Sequence, residues 1–150
     1  NLDSLALLLE DLPLKVFAHN VECVPRLDKV VRDRRASFHQ SLVILKQAKS
    51  LRPDILTKTS IMVGLGETHE ELISVFQDIR QSGVDILTLG QYLKPTKDNL
   101  DVEKYYTPEE FEELKTQAEA QGFPFVFSGP WVRSSYLADI VFEKTLVYDT

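Results

Sequence analysis

With 150 residues and a net charge of −6, the chain is sized for one domain that buries most of the surface its unfolded state exposes, and it lacks the clustered Lys and Arg that nucleic-acid binding by counterion release requires. A composition 43% apolar and 27% charged is that of an ordinary globular protein, and no run approaches the ~20 apolar residues of a membrane span. The single cysteine, Cys23, excludes an intrachain disulfide or a cysteine-built metal site within these residues, and suits a reducing compartment.

The first residues, Asn1-Leu2-Asp3-Ser4, lack the basic region of a secretory leader. A chain that starts without Met reads as a piece of something longer. Leu5, Leu8, Leu9 and Leu12 fall at helical spacing after Asp3 as cap, so a short helix is expected before Pro13. Leu14 to Ala18 is a short apolar strand ending at His19-Asn20, and Val21 to Arg35 reads as loop with a turn of helix. Ser37 to Ser50 is an amphipathic helix with Phe38, Leu42, Leu45 and Ala48 on one face.

Leu56 to Val63 is the second strand, with Lys58 inside it. It breaks at Gly64-Leu65-Gly66-Glu67 before a helix over Glu70 to Gln81, stopped by Gly83 at C′. Gly64 and Gly66 have no Cβ, so this turn can take φ > 0 or let a flat or anionic ligand lie against it. Thr68 and Glu71 have the spacing of a capping box, which fixes where the helix begins. Asp85 to Leu89 is the third strand, ending at Gly90-Gln91-Tyr92. Leu93 to Tyr106 is long for a connection in a compact domain, and loops of that length are often functional. Thr107-Pro108-Glu109-Glu110 repeats the helix start signal for a helix reaching Gln121. Phe125 to Phe127 is a fourth strand, ending at Ser128-Gly129-Pro130, and Arg133-Ser134-Ser135-Tyr136 opens a final short helix.

Strands alternating with helices predict parallel βαβ units. The Gly-x-Gly-x-x-Gly fingerprint is missing, since His69 stands at the third position, which disfavours a dinucleotide fold. Polar residues collect where the strands end: His19 and Asn20, Gly64 to Glu67, Gly90 and Gln91, Ser128 and Gly129. That pattern fits an α/β fold of curved half-barrel type, in which four strands cannot close a barrel and further strands are expected upstream.

Each candidate has a plainer reading beside the functional one. Glu67 can bond a ligand, but an acid before a helix start already favours the dipole. Lys58 can form a Schiff base if its amine is desolvated, although strand lysines more often snorkel or pair with an acid. Arg133 suits a carboxylate or phosphate, or a salt bridge. Ser134 and Ser135 have no nucleophile elbow and read as caps, and Cys23 reads as a small core or loop residue. His19, His39 and His69 show no ligand spacing. The cluster Arg32-Asp33-Arg34-Arg35 reads as a solvated loop.

Four stretches together go beyond composition. Phe17-Ala18-His19-Asn20-Val21-Glu22, Thr57 to Thr68, Leu87-Thr88-Leu89-Gly90-Gln91-Tyr92-Leu93 and Ser128-Gly129-Pro130-Trp131-Val132-Arg133-Ser134-Ser135-Tyr136 resemble, in order and spacing, the successive signatures of the lipoyl synthase family of radical S-adenosylmethionine enzymes. The resemblance implies that residues 1–150 are the C-terminal portion of a partial (β/α) TIM-like barrel, with the two cysteine triads that hold two 4Fe–4S clusters lying upstream, so that these residues alone are catalytically incomplete. It implies sulfur insertion at C6 and C8 of an octanoyl chain on a carrier-protein lysine, with a 5′-deoxyadenosyl radical removing the hydrogens.

Residue by residue, the resemblance places Ser60 to Glu67 on the family's Gly-x-Ile-x-Gly-x-x-Glu strand beside the adenine. Gly64 and Glu67 match that pattern, while Ser60 and Met62 replace its Gly and Ile. It assigns Asn20, Lys58, Gly64, Gly66, Glu67 and Gln91 to S-adenosylmethionine binding. Arg133 is placed in the catalytic centre beside the auxiliary cluster, and a serine of Arg-Ser-Ser-Tyr as its non-cysteine ligand, Ser135 or alternatively Ser134. An oxygen ligand suits a cluster consumed in the reaction, because a hard oxygen is a poorer partner than thiolate for a soft iron–sulfur centre. The implied partners are octanoylated carrier domains, such as the E2 subunits of 2-oxoacid dehydrogenases and the glycine cleavage H protein, and an electron donor such as flavodoxin or ferredoxin. Neither nucleic acid nor membrane is implied. The implied location is the cytoplasm, or the mitochondrion in a eukaryote. Trp131, Leu137 and Cys23 depart from the family's usual residues, and a bulky Trp131 could narrow the acyl pocket. The rival readings are a phosphate-binding barrel lyase using Lys58 as Schiff base and a non-catalytic barrel fragment serving as an interaction module.

Overall fold

The computed structural model describes residues 16–28 and 37–133. The expected N-terminal helix, the Arg32 to Arg35 cluster, the closing helix and both Ser134 and Ser135 fall outside them.

The order along the chain is β1 (Val16–Ala18), a 3₁₀ turn (Pro25–Leu27), α1 (Phe38–Leu51), β2 (Leu56–Val63), α2 (His69–Gln81), β3 (Ile86–Gln91), α3 (Pro108–Ala120) and β4 (Phe125–Ser128). All four strands are parallel and lie in the order β1-β2-β3-β4. Each crossover therefore steps one strand in the same direction, and with right-handed connections all three helices must cover the same face.

The packing bears this out. Alternate strand residues Ile61, Val63, Leu87, Leu89 and Val126 form one core with Phe38 and Leu45 of α1, Phe76 and Ile79 of α2, and Phe111 and Leu114 of α3. Phe38, Phe76 and Phe111 are at most 1% exposed, so each helix sinks one phenylalanine into this seam. Burial of a side chain that size contributes roughly 1.5–3 kcal/mol. The residues between them, Lys58, Ser60 and Thr88, stand on the opposite face of the sheet and are buried as well. Among the described residues the helices cover one face of the sheet only, which is not the doubly wound arrangement of dinucleotide-binding folds.

Local chemistry fixes the element ends. Ser37 caps α1 by accepting from the amide of Gln40. Thr68 with Glu71, and Thr107 with Glu110, form complete capping boxes at α2 and α3. Gly83 ends α2 with φ +87°. The third strand runs from Ile86 to Gln91 rather than from Asp85 to Leu89. Its start is set because the Asp85 carboxylate accepts from the Thr57 amide and from Lys49, at 3.0 and 2.8 Å. It continues past Leu89 because Gly90 and Gln91 still pair with Met62 and Val63.

Candidate functional site

The C-terminal ends of β2 and β3 open onto a cavity of about 220 Å³ lined by Ser60, Met62, Thr88 and Gln91, with Glu22 and Arg133 contributed by segments beyond β1 and β4. Met62 and Leu93 also line an adjoining cavity of about 360 Å³ walled by Tyr92, Pro95 and Leu100. Both spaces mix polar and apolar lining, with Asp98 and Asn99 on the wall of the second, so together they offer a ligand hydrogen-bonding groups beside apolar surface.

The cavity floor follows from strand register. Ser60 lies opposite Thr88, and their hydroxyls hydrogen-bond to each other. Glu22 reaches the wall by an unusual backbone: its φ is +71°, unique among the described non-glycine residues. Its amide donates to the Ser60 carbonyl at 3.1 Å and its carbonyl accepts from Met62 at 2.9 Å, so the bridge to β2 holds it in the left-handed region. A non-glycine residue so placed costs about 1–3 kcal/mol, which the surrounding pairing must offset. Arg133 arrives because the chain after β4 folds back over Gly90. A Cβ there would collide with the Val132 carbonyl. Arg133 Nη1 donates to the Pro130 and Val132 carbonyls at 3.2 and 3.0 Å, and among the described residues it bonds to no acid. Trp131 is 76% exposed and lines neither cavity.

The glycine turn beside the cavity is built by Glu67. Its carboxylate accepts from the Gly64 amide at 3.0 and 3.1 Å and from the Leu65 amide at 3.2 Å, and the Tyr106 hydroxyl donates to it at 3.0 Å. Burial first, and then this carboxylate, hold the Tyr106 phenol above its ordinary range. Gly64 must be glycine on two counts: its φ is +107°, and a Cβ would meet the Gln91 carboxamide and, at 2.5 Å, the Lys104 carbonyl. Gly66, at φ +104°, offers its carbonyl to Arg26 at 2.7 Å.

Gln91 lines the cavity, but its carboxamide is engaged by backbone. Its oxygen accepts from the Tyr106 amide at 2.9 Å, and its nitrogen donates to the Lys104 and Tyr92 carbonyls at 2.9 and 3.0 Å. The expected site residues therefore divide into two groups. Gln91 and Arg133 face the cavity; Gly64, Gly66 and Glu67 form the turn next to it. Asn20, half-buried after β1, and Lys58, on the Ser60 face and 5% exposed, line neither cavity. Burial pushes the Lys58 ammonium below its ordinary range.

Glu22, Thr88 and Tyr106 were not singled out from sequence. Period-two alternation with Leu87 and Leu89 puts Thr88 on the face of its strand away from the core, whereas nothing in the sequence signals the left-handed Glu22 or the reach of Tyr106. Cys23 is 1% exposed with its thiol against Asp28 at 3.8 Å, a core position. Among the described residues no group of three or more His, Cys, Asp or Glu is gathered to hold a metal ion, so this part of the chain supplies no ligand set for an iron–sulfur cluster. No helix among them is long and apolar enough to cross a membrane.

No family model matches the chain. Among curated proteins, it is 56% identical over 137 residues to a chloroplastic lipoyl synthase of Arabidopsis thaliana, covering 91% of this chain and 35% of the relative. It is 57% identical over 134 residues to a lipoyl synthase of Marinobacter nauticus, covering 89% and 38%. It is 54% identical over 134 residues to a mitochondrial lipoyl synthase of Xenopus laevis, covering 89% and 36%. The chain thus spans little more than a third of the length of these relatives, and it is to the C-terminal part of lipoyl synthases that it is similar.

Proposed function

We propose that the chain is the C-terminal portion of a lipoyl synthase whose four strands form part of a (β/α) barrel, and that the cavity at their C-terminal ends receives S-adenosylmethionine. The observation that carries this reading is the gathering of Glu22, Ser60, Thr88 and Arg133 around one cavity at the ends of adjacent parallel strands, in a chain more than half identical to lipoyl synthases.

The residues present fit an amino-acid-bearing nucleoside. Glu22 offers a carboxylate to ammonium or ribose hydroxyls, and Arg133 a guanidinium to a carboxylate. Ser60 and Thr88 offer hydroxyls that both donate and accept. Met62, Leu93, Tyr92 and Pro95 provide an apolar wall for a purine face. S-adenosylmethionine, when bound, supplies the radical chemistry that replaces two C–H bonds of an octanoyl chain by C–S bonds. This chain's residues would bind and orient it: the floor hydroxyls fix its depth, Arg133 closes one end, and the turn set by Glu67 limits water entry at the rim.

Two 4Fe–4S clusters belong to the same proposal, their cysteines carried on the part of the protein that lies upstream of this match. Ser135, with Ser134 as the alternative, is the oxygen ligand this chain would contribute. The acyl substrate would arrive on a lipoyl carrier domain, with flavodoxin or ferredoxin as electron donor. The compartment would be the cytoplasm in a bacterium and the mitochondrion in a eukaryote, although relatives named chloroplastic extend the range of organelles.

The test uses the intact protein, purified and reconstituted without oxygen, with an octanoylated carrier domain, S-adenosylmethionine and reductant. Carrier mass should increase by two sulfur atoms as the dithiol, and by two sulfur atoms less two hydrogens once it is oxidised to the ring disulfide. An iron-loaded protein that leaves the carrier unchanged would overturn the reading. The lyase alternative gains nothing from the cavities, since Lys58 lines neither; borohydride trapping of a carbonyl substrate on Lys58 would restore it.

A further inference from the structure

We infer that Tyr106 is a positioning residue for the ligand of this cavity, acting through Glu67 and Gln91; the inference rests on the reading of the cavity as an S-adenosylmethionine site. Tyr106 is joined to the site twice. Its hydroxyl donates to Glu67 Oε2 at 3.0 Å, and its amide donates to Gln91 Oε1 at 2.9 Å. The first bond acts on the residue that sets the glycine turn, the second on a residue of the cavity wall.

The turn and the wall are themselves in contact, because the Gln91 carboxamide lies where a Gly64 side chain would be. The Gly64 carbonyl accepts from the Glu103 amide at 2.8 Å. Turn, wall and the end of the 92–106 loop thus form one closed circuit of hydrogen bonds. Inside it, Glu67 has backbone amides on both carboxylate oxygens, and among the described residues the Tyr106 hydroxyl adds the one side-chain donor. A carboxylate held by the phenol stays oriented, whereas without the phenol it can swing toward solvent and release the Gly64 and Leu65 amides. Because Met62 lies only two residues before Gly64 and lines both cavities, a turn so released would shift the wall shared between them.

The ring is anchored independently of its hydroxyl. Phe111 packs against it with centroids 5.8 Å apart, and the Lys104 ammonium sits 4.4 Å from its centroid. Tyr106→Phe therefore removes one hydrogen bond and leaves the packing, and Phe111→Leu loosens the packing and leaves the bond.

In the intact protein, S-adenosylmethionine affinity is measured by equilibrium dialysis for the parent and both variants, alongside their thermal midpoints. Tyr106→Phe should weaken binding at least fivefold with little change in midpoint, while Phe111→Leu should lower the midpoint and keep affinity within twofold. Equal affinity in parent and Tyr106→Phe overturns the positioning role, as does an equal loss in Phe111→Leu, which would show that general loosening is enough. A parent that binds no S-adenosylmethionine overturns the reading of the cavity itself. Amide exchange in the parent gives a readout that needs no variant: saturating S-adenosylmethionine should slow exchange at Gly64 and Leu65, and unchanged exchange at both despite binding overturns the proposal.

Discussion

The Val132 carbonyl lies so close over Gly90 that a β-carbon at position 90 would overlap it, with the Val132 carbonyl carbon only 3.0 Å away. The neighbour is backbone, which cannot rotate aside as a flexible side chain would. This approach returns the chain after β4 to the end of β3 and delivers Arg133 to the cavity wall.

Gly90→Ala is accordingly expected to displace residues 129–133, not to be absorbed. Overpacking of this kind costs about 1–3 kcal/mol, visible as a lower urea midpoint at unchanged slope in the intact protein. S-adenosylmethionine binding should fall further than stability, because Arg133 moves with Val132. A variant with parental binding would show that this return segment does not shape the site.

Gly64→Ala should be more damaging. The substitution meets both an unfavourable φ of +107° and contact with Gln91 and the Lys104 carbonyl. Left-handed strain alone is worth about 1–3 kcal/mol, and the clash adds to it. Gly66→Ala provides the contrast. It shares a φ of +104°, but its nearest neighbour would be Glu103 Cγ at 3.6 Å, an ordinary contact. Chemical denaturation should rank the two losses with Gly64 the larger, and equal losses would mean that strain rather than crowding decides the turn.

Lys58 gives the protein a dependence on alkaline pH. Burial lowers its folded pKa below the ordinary lysine value of 10.5. Between the folded and unfolded values the unfolded chain binds more protons than the folded one, so this group makes stability rise with pH through that window and level off above 10.5. Lys58→Met should remove that rise. Stability measured from pH 8 to 11 would show parental and variant curves converging at the alkaline end, and parallel curves would refute the assignment.

Glu71 works in the opposite sense. The Arg26 hydrogen bond first, and the Thr68 amide next, hold its carboxyl below the usual carboxylate value of 4.5. A depressed folded pKa contributes stability above the unfolded value that is lost as pH falls through the folded one. Glu71→Gln should therefore blunt acid destabilisation below pH 4.5. Arg26 also grips the Gly66 carbonyl at 2.7 Å, so in the parent, acidification should raise amide exchange around the glycine turn before the core opens. Identical acid profiles would assign this exposed pair no role.

Much of the fold was legible from spacing alone. Both capping boxes, the glycine at position 83 and the run from Leu56 to Val63 lie where local rules put them, because caps and breakers act within a turn of the chain. The site was legible in part. Gly64 and Gly66 announce a special backbone, but the sequence could not say that Gly64 is crowded by Gln91 or that Glu67 serves the turn's own amides. Lys58 and Asn20, singled out in sequence, line neither cavity; Lys58 shares the Ser60 face but lies two residues nearer the start of its strand, and how far along a strand a cavity reaches depends on what covers it.

What the sequence determined by itself was the succession of strands and helices and, through four ordered signatures, kinship with lipoyl synthases. These rest on near-neighbour chemistry and on residue order, which survive without coordinates. The tertiary structure alone decided that Glu22, Ser60, Thr88 and Arg133 share one cavity and that Tyr106 closes on Glu67, because both need strand register and a chain return spanning tens of residues. No local preference encodes such distances; they are set by the one-directional stacking of parallel strands beneath a single layer of helices.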